Sequence, residues 1–526
     1  VFNRTMLRAA AALASMSLVT GCSLFSDDDA DRAQPVVVGT TSAPSTLDPA
    51  AAWDSSWELY RNVFQTLLSF PTASTAPQPD AAEQCKFTDP TNTELRCTLR
   101  EGLTFSNGHT LDAAAVKHSI DRIRTIDVNG GPNGLLGSLK EIRTEGPRTV
   151  TFKLTKPDAT FPFVLATPAM SLVDPAEYPA DKLREDGGLT GSGPYVLESY
   201  EEGSKAELRK NTSYNGFADR KNDAVTIRYF AQSEAMVSAL KRKEIDATYR
   251  GLTAEEVVDL QDKKEANEGL QLVETTGADI RYLVFNPKDP SVREVEVRQA
   301  IAQLIDRGEL INKVYRGTAE PLYSMVPKGI AGHATSFFDR YGDPSAAKAR
   351  DILEEAGVET PVKLDLWFTT DRYGSATADE FAEIKRQLEQ SQLFQVTIQG
   401  KPWKEFQQGY QKGSYPVFGR GWFPDFPDPD NFVAPFVGKD NVLGTPYEST
   451  EITQQLLPQT RRQSDRGAVS KQFERAQTIL LDDVRLLPLW QGKTYVATKE
   501  EIAGAERALD PQTVMQLWVL HRQTSW

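Results

Sequence analysis

Strand-like and helix-like segments interleave along almost the whole of this chain, and that mixture most constrains what it can fold into. "TVTFKLTKP" (149–157) alternates as a half-buried strand, and "AVTIRYF" is another, followed by the helical "EAMVSALKRKEID". "PVVVGTTSAPSTLDPA" reads as a strand and then a loop. "SSWELYRNVFQTLLSF" places Trp57, Tyr60, Val63, Phe64, Leu67 and Leu68 at helical spacing. In "GLTFSNGHTLDAAAVKHSIDRI" a turn at Asn107-Gly108 precedes a helix that Thr110 or Asp112 can cap. "DIRYLVFNPKDP" is a strand ending at Asn286-Pro287. "VEVRQAIAQLIDRGELINKVY" follows as an amphipathic helix with Val297, Ala300, Ile301, Leu304 and Ile305 on one face. "AAKARDILEEAGV" is a helix with a glycine stop, and "VKLDLWF" and "FQVTIQG" are later strands. No repeat of about 20 to 50 residues is visible, which disfavours a solenoid or propeller. At 526 residues the chain exceeds one ordinary core, so two or three domains are expected.

The N-terminus points to an exported protein. Arg4 and Arg8 precede a mild apolar run from Ala9 to Val19, too short to span a bilayer, and Val19-Thr20-Gly21-Cys22 closes it. This resembles a secretory signal (1–21) ending in a bacterial lipobox, in which Cys22 is acylated and becomes the mature N-terminus. The acidic "SLFSDDDADRAQP" then suits a tether, residues 22–35. Stable anchoring requires more than one acyl chain. The other cysteines, Cys85 and Cys97, flank a turn-rich Asp89-Pro90-Thr91-Asn92 as in a hairpin. In an oxidising compartment they can pair, constraining the unfolded chain by roughly 3 kcal/mol; two free thiols are the alternative. Only four histidines exist (His109, His118, His333, His521), none at ligand spacing from a cysteine or another histidine, so no zinc site is expected. The formal charge of −14 argues against nucleic acid as a partner.

No phosphate loop, nucleophile elbow, H-E-x-x-H or dinucleotide fingerprint is present. "GSGPY" (191–195) opens a strand rather than a helix and reads as a turn requiring positive φ. "GWFPDFPDPDNF" (421–432) is the richest stretch. Asp425, Asp428 and Asp430 lack the spacing of a calcium loop. As an acid/base pair the carboxylates lack a neighbour that would raise one of them. As a ligand socket the residues fit: prolines pre-organise the backbone, Trp422 and Phe426 supply rigid walls, and shielded Asp425 faces a cation. A stiff, self-packed turn is the plainer alternative. Asp428 and Asp430 read as turn and capping residues.

With these blocks in order ("STLDPA", "LREGLTFSNGHTLDAAAVKHSIDRI", "GSGPYVLESY", "VRQAIAQLIDRGELINKVYRGTAEP", "GWFPDFPDPDNF"), the chain resembles the extracellular solute-binding proteins of ABC importers, peptide/nickel-binding (family 5) branch. The resemblance implies a bilobal α/β fold like the periplasmic binding proteins (type II, cluster C-like) with an extra inserted subdomain. Lobe 1 would comprise 36–70, 190–281 and 496–526, the inserted subdomain 71–189, and lobe 2 282–495, with crossings near Tyr282 to Asn286 and Thr494 to Thr498. It implies a monomer without cofactor, metal or chemistry of its own, tethered to the outer face of the membrane. Such a protein captures an oligopeptide between its lobes and delivers it to a permease. Asp425, three residues after Trp422, would pair with the ligand's α-ammonium, and Arg420 would meet a carboxylate. Tyr282, Asn286, Trp403 and Trp53 complete the expected ligand-binding set. Two other readings stand beside it: an oligosaccharide receptor stacking sugars on Trp53, Trp403, Trp422 and Phe426, and a secreted hydrolase using Asp425 and Asp428.

Overall fold

Strand and helix periods resolve into the following elements. The N-terminal half carries β1 (Val36–Thr40), α1 (Trp57–Val63), β2 (Ala82–Phe87), β3 (Glu94–Leu99), α2 (Ala113–Ile126), β4 (Leu139–Glu145) and β5 (Thr149–Leu154). Next come β6 (Tyr195–Glu201), β7 (Lys205–Lys210), β8 (Ala224–Tyr229), β9 (Ala247–Tyr249), β10 (Leu270–Phe285) and α3 (Val295–Leu304). The remainder holds β11 (Val362–Thr369), α4 (Thr377–Gln390), β12 (Phe394–Lys401), α5 (Trp403–Gln411), β13 (Val417–Trp422), α6 (Ser470–Asp483) and β14 (Leu486–Lys499). The computed structural model describes residues 34–523 except 52–55, 73, 263, 440 and 446, so Cys22 and Trp53 lie outside the described residues.

One sheet runs through the body of the protein in the order β12-β11-β13-β10-β14-β9-β1-β8-β7-β6, and a short strand, Ala319–Pro321, adds to β14. Its centre is the antiparallel pair β10 and β14, which stay paired from Leu270 opposite Lys499 to Val284 opposite Leu486. At 16 and 14 residues they far exceed the usual length of about 5–6. They therefore serve two lobes: one holds β1 and β6–β9, the other β11–β13. Their register breaks between Thr276 and Ile280. A separate antiparallel sheet, β2-β3-β5-β4, packs into the first lobe's core with α2.

In the second lobe both faces of β10 are buried, and its side chains alternate between two cores. Leu283 and Phe285 join Phe381 and Ile384 of α4; Ile280, Tyr282 and Val284 join Phe406 and Tyr410 of α5.

Cys85 and Cys97 sit directly opposite each other in β2 and β3 and are bonded. Asp112 caps α2 by accepting from the amides of Ala114 and Ala115, each at 3.0 Å. Three local expectations change. Helix α1 stops at Val63, because Phe64 turns extended and the Val63 carbonyl accepts from the Gly193 amide instead. The glycines of "GSGPY" take no positive φ. A Cβ on Gly191 would lie 2.1 Å from the Val63 oxygen, and one on Gly193 2.5 Å from its carbonyl carbon, so close approach requires them. The long helix expected after Val295 ends at Leu304, where Ile305 is extended and Asp306 caps a new turn.

Candidate functional site

Strand direction locates the cleft. β1 runs parallel to β8 and β9, and β9 runs antiparallel to β14, so the carboxyl ends of all three point toward the register break. In the second lobe β13 is antiparallel to β10, and β11 is parallel to both β12 and β13. Their carboxyl ends point to the same break from the other side. Open α/β sheets bind ligands outside these ends. The loop 423–432 leaves β13 there.

Within that loop Asn431 ties three groups together. Its Oδ1 accepts from the indole Nε1–H of Trp422 at 3.1 Å and from the Asp425 amide at 3.0 Å, and its Nδ2 donates to Asp425 Oδ2 at 2.9 Å. Asp425 is 8% exposed. The Gln512 side-chain amide, from the first lobe, donates to the Asp425 backbone carbonyl. Gln512 in turn accepts from Arg61 Nη2 at 3.0 Å, and Arg61 Nε lies 3.3 Å from Asp510. Phe426 leaves its own lobe and joins the first lobe's core, its ring 6.1 Å from that of Phe163.

Asp428 and Asp430 hold the loop rather than face a ligand. Asp428 accepts from the Asp430 amide and pairs bidentately with Arg466 at 2.7 and 2.8 Å; Asp430 pairs bidentately with Arg461 at 3.0 and 2.9 Å. Burial pushes the Asp428 carboxyl up, and Arg466 opposes it. A carboxylate so engaged is unsuited to proton transfer.

Two arginines occupy opposite faces of the sheet beside the loop. Arg281 passes over Gly421, where a Cβ would lie 2.4 Å from its Nη1. Its guanidinium carbon is 4.4, 5.1 and 4.9 Å from the ring centres of Tyr373, Phe423 and Trp490, and Asp279 is 3.5 Å away. Glu380 of α4 accepts from Tyr315 Oη at 2.6 Å and Trp490 Nε1 at 3.2 Å, and burial pushes its carboxyl up. On the other face Arg420 stacks on Trp403 and Tyr410 at 5.3 and 4.6 Å. Among the described residues its Nε and Nη1 have no hydrogen-bond partner. A small crevice of about 10 Å³ is lined by Arg281, Tyr373, Glu380 and Arg420 among others.

Of the residues expected from sequence, the structure brings Asp425, Trp422, Phe426, Trp403, Arg420 and Tyr282 to the carboxyl end of β13 and its neighbours. Tyr282 is fully buried under Phe436, ring centres 5.3 Å apart. Asn286 stands apart: six residues beyond Ile280, about 20 Å along an extended strand, it donates to the Gly413 carbonyl. Asn431, Gln512, Arg281 and Tyr373 were not anticipated. Only Arg281, a cation inside an apolar strand, left a signal.

The sequence profile of the bacterial extracellular solute-binding proteins, family 5, matches residues 76–444, and the chain belongs to that family. Such proteins bind solutes and do not transform them, so the hydrolase reading is set aside. The probable D,D-dipeptide-binding periplasmic protein DdpA of Escherichia coli K12 is 25% identical over 490 residues, covering 89% of this chain and 90% of that protein. The glutathione-binding protein GsiB of the same organism is 25% identical over 488 residues, covering 90% and 92%. The fold is that of the Helicobacter pylori periplasmic binding protein DppA, solved with the peptide STSA, at a TM-score of 0.76 and 21% identity over 93% of this chain and 98% of that one. Among the described residues no helix is long and apolar enough to cross a membrane.

Proposed function

We propose that this protein is the lipid-anchored receptor of an ABC importer, capturing an oligopeptide between its lobes and handing it to a membrane permease. The observation that carries the reading is Asp425: a shielded carboxylate at the carboxyl end of β13, held in orientation by Asn431 beside the Trp422 ring. A peptide's α-ammonium is the group such a carboxylate suits, and a water-poor setting strengthens the pair. Relatives named for a dipeptide and for glutathione support a peptidic ligand. Arg420, with two nitrogens lacking an internal partner, is assigned to a ligand carboxylate. The lipobox at Cys22 supports anchoring. The hinge is assigned to the irregular stretch of β10 between Thr276 and Ile280 and the facing residues of β14, a few residues before the crossing expected near Tyr282.

The oligosaccharide reading is weaker, because Trp403 already carries the guanidinium groups of Arg372 and Arg420 against its ring. In calorimetric titration, Asp425→Ala should bind a peptide with a free amino terminus about 1.5–3 kcal/mol more weakly than the parent, the range for a hydrogen bond to a charged group. Equal affinities would remove Asp425 from the site.

A further inference from the structure

We propose that Asn431 is the positioning residue of the ammonium site: it fixes the Asp425 carboxylate and thereby sets selectivity for an unblocked amino terminus. The inference rests on the reading of Asp425 given above and goes beyond it by assigning the selectivity to a second residue. The orientation of the Asn431 amide is dictated by chemistry. Its Oδ1 meets an indole N–H and a peptide N–H, which only donate, while its Nδ2 meets a carboxylate, which accepts. Flipping the amide would set donor against donor twice. Asn431 is 4% exposed and sits in the turn Pro429–Phe432, which Asp428 caps from its own pairing with Arg466. Every link from Arg466 through Asp428 to Asn431 is therefore made by the protein's own groups. One carboxylate oxygen, Oδ2, is held by the Asn431 amide, which fixes the plane of the group. The same amide holds the Trp422 ring, so wall and charge share one anchor. Pre-set geometry spares the ordering cost that a swinging aspartate would bear on binding.

The test uses one peptide in two forms, with a free amino terminus and N-acetylated, titrated calorimetrically into the full chain and its variants. The parent should prefer the free form, and Asp425→Ala should abolish the preference. Asn431→Ala should cut the preference about five- to tenfold, because a loss through the Trp422 wall weakens both forms alike and cancels in their ratio, whereas lost orientation of Asp425 weakens the free form alone. Equal weakening of both forms, or an unchanged preference, overturns the role of Asn431 while leaving Asp425 in place. A parent that does not discriminate overturns both.

The near-isosteric Asn431→Asp covers the case in which the alanine variant fails to fold. It sets two carboxylates side by side that share a proton. At pH 5.5 the arriving ammonium should expel that proton, seen as a binding heat that varies with buffer ionisation enthalpy for the free peptide and not for the acetylated one. The same heat in every buffer for both forms overturns the proposal.

Discussion

Glu380 shows how a single residue can be costly and still be kept. It is 4% exposed, accepts from Tyr315 and Trp490, and has its carboxyl pushed up by burial. A raised folded value means the neutral acid fits the fold better than the carboxylate does. Its contribution to stability is thus full below the ordinary value of 4.5 and is lost as pH rises through the folded value. Glu380→Gln keeps the shape without the ionisation, so its melting temperature should gain on the parent's as pH rises above 4.5 and level off once the folded carboxyl has ionised. A difference that stays constant over that range would show that Glu380 does not titrate as described. Nothing in "TADEFAEIKRQLEQ" sets this glutamate apart, since its burial comes from β10 and β14, remote in sequence. Asp425 and Trp422 were legible because rigid prolines and aromatics crowd around them. Asn431, in the same stretch, was passed over, because an uncharged amide after Asp430 looks like turn chemistry. Tyr282 was expected at a ligand and lies in a core, because β10 is covered on both faces.

The loop 423–432 behaves as one element because two buried ion pairs fasten it to the segment holding Arg461 and Arg466. The Asp428 side chain is 1% exposed and that of Arg466 10%. Removing one partner of such a pair leaves a charge without compensation, which costs about 3–5 kcal/mol. Arg466→Met should therefore lower the free energy of unfolding by about that much in a denaturant titration, whereas adding Asp428→Asn should restore part of the loss. A double variant less stable than the single one would refute a charge-pairing role. At this scale the sequence was informative wherever a period repeats, as in β5, β11 and the helix Ala346–Glu355. It misled where contacts between distant segments overrode the period. Leu67 and Leu68 continue the helical spacing of α1, yet the chain turns extended after Val63 to meet Gly191 and Gly193.

Across the whole molecule, the lobes are joined by β10 and β14 and meet again at the far side of the cleft. The Ala159 amide donates to the Arg461 carbonyl at 2.9 Å, Ser464 Oγ donates to Asn92 Oδ1 at 2.9 Å, and Phe426 packs on Phe163. Gln512 adds a contact of another kind, since it holds the backbone carbonyl of Asp425, the residue proposed to meet the ligand's ammonium. The turn that carries it is strained, with Thr513 at a φ of +61°, a cost for a β-branched residue that tends to mark ligand clamps. The ordered sequence blocks pointed to two lobes. They could not point to Gln512, which meets Asp425 across 87 positions of chain. Under the proposed clamp mechanism recognition and closure are coupled, because apparent affinity falls with the fraction of molecules able to close. Gln512→Ala removes two buried hydrogen bonds: the one to the Asp425 carbonyl, worth about 1 kcal/mol, and the one from Arg61, which keeps the Ala166 carbonyl as a partner at 3.0 Å. Both the free and the acetylated peptide should therefore bind roughly three- to tenfold more weakly. At the same subsaturating ligand concentration, the variant should also show a larger radius of gyration in solution scattering than the parent. Weakening confined to the free-amine peptide would place Gln512 in ammonium recognition instead of closure, and no weakening at all would remove it from both.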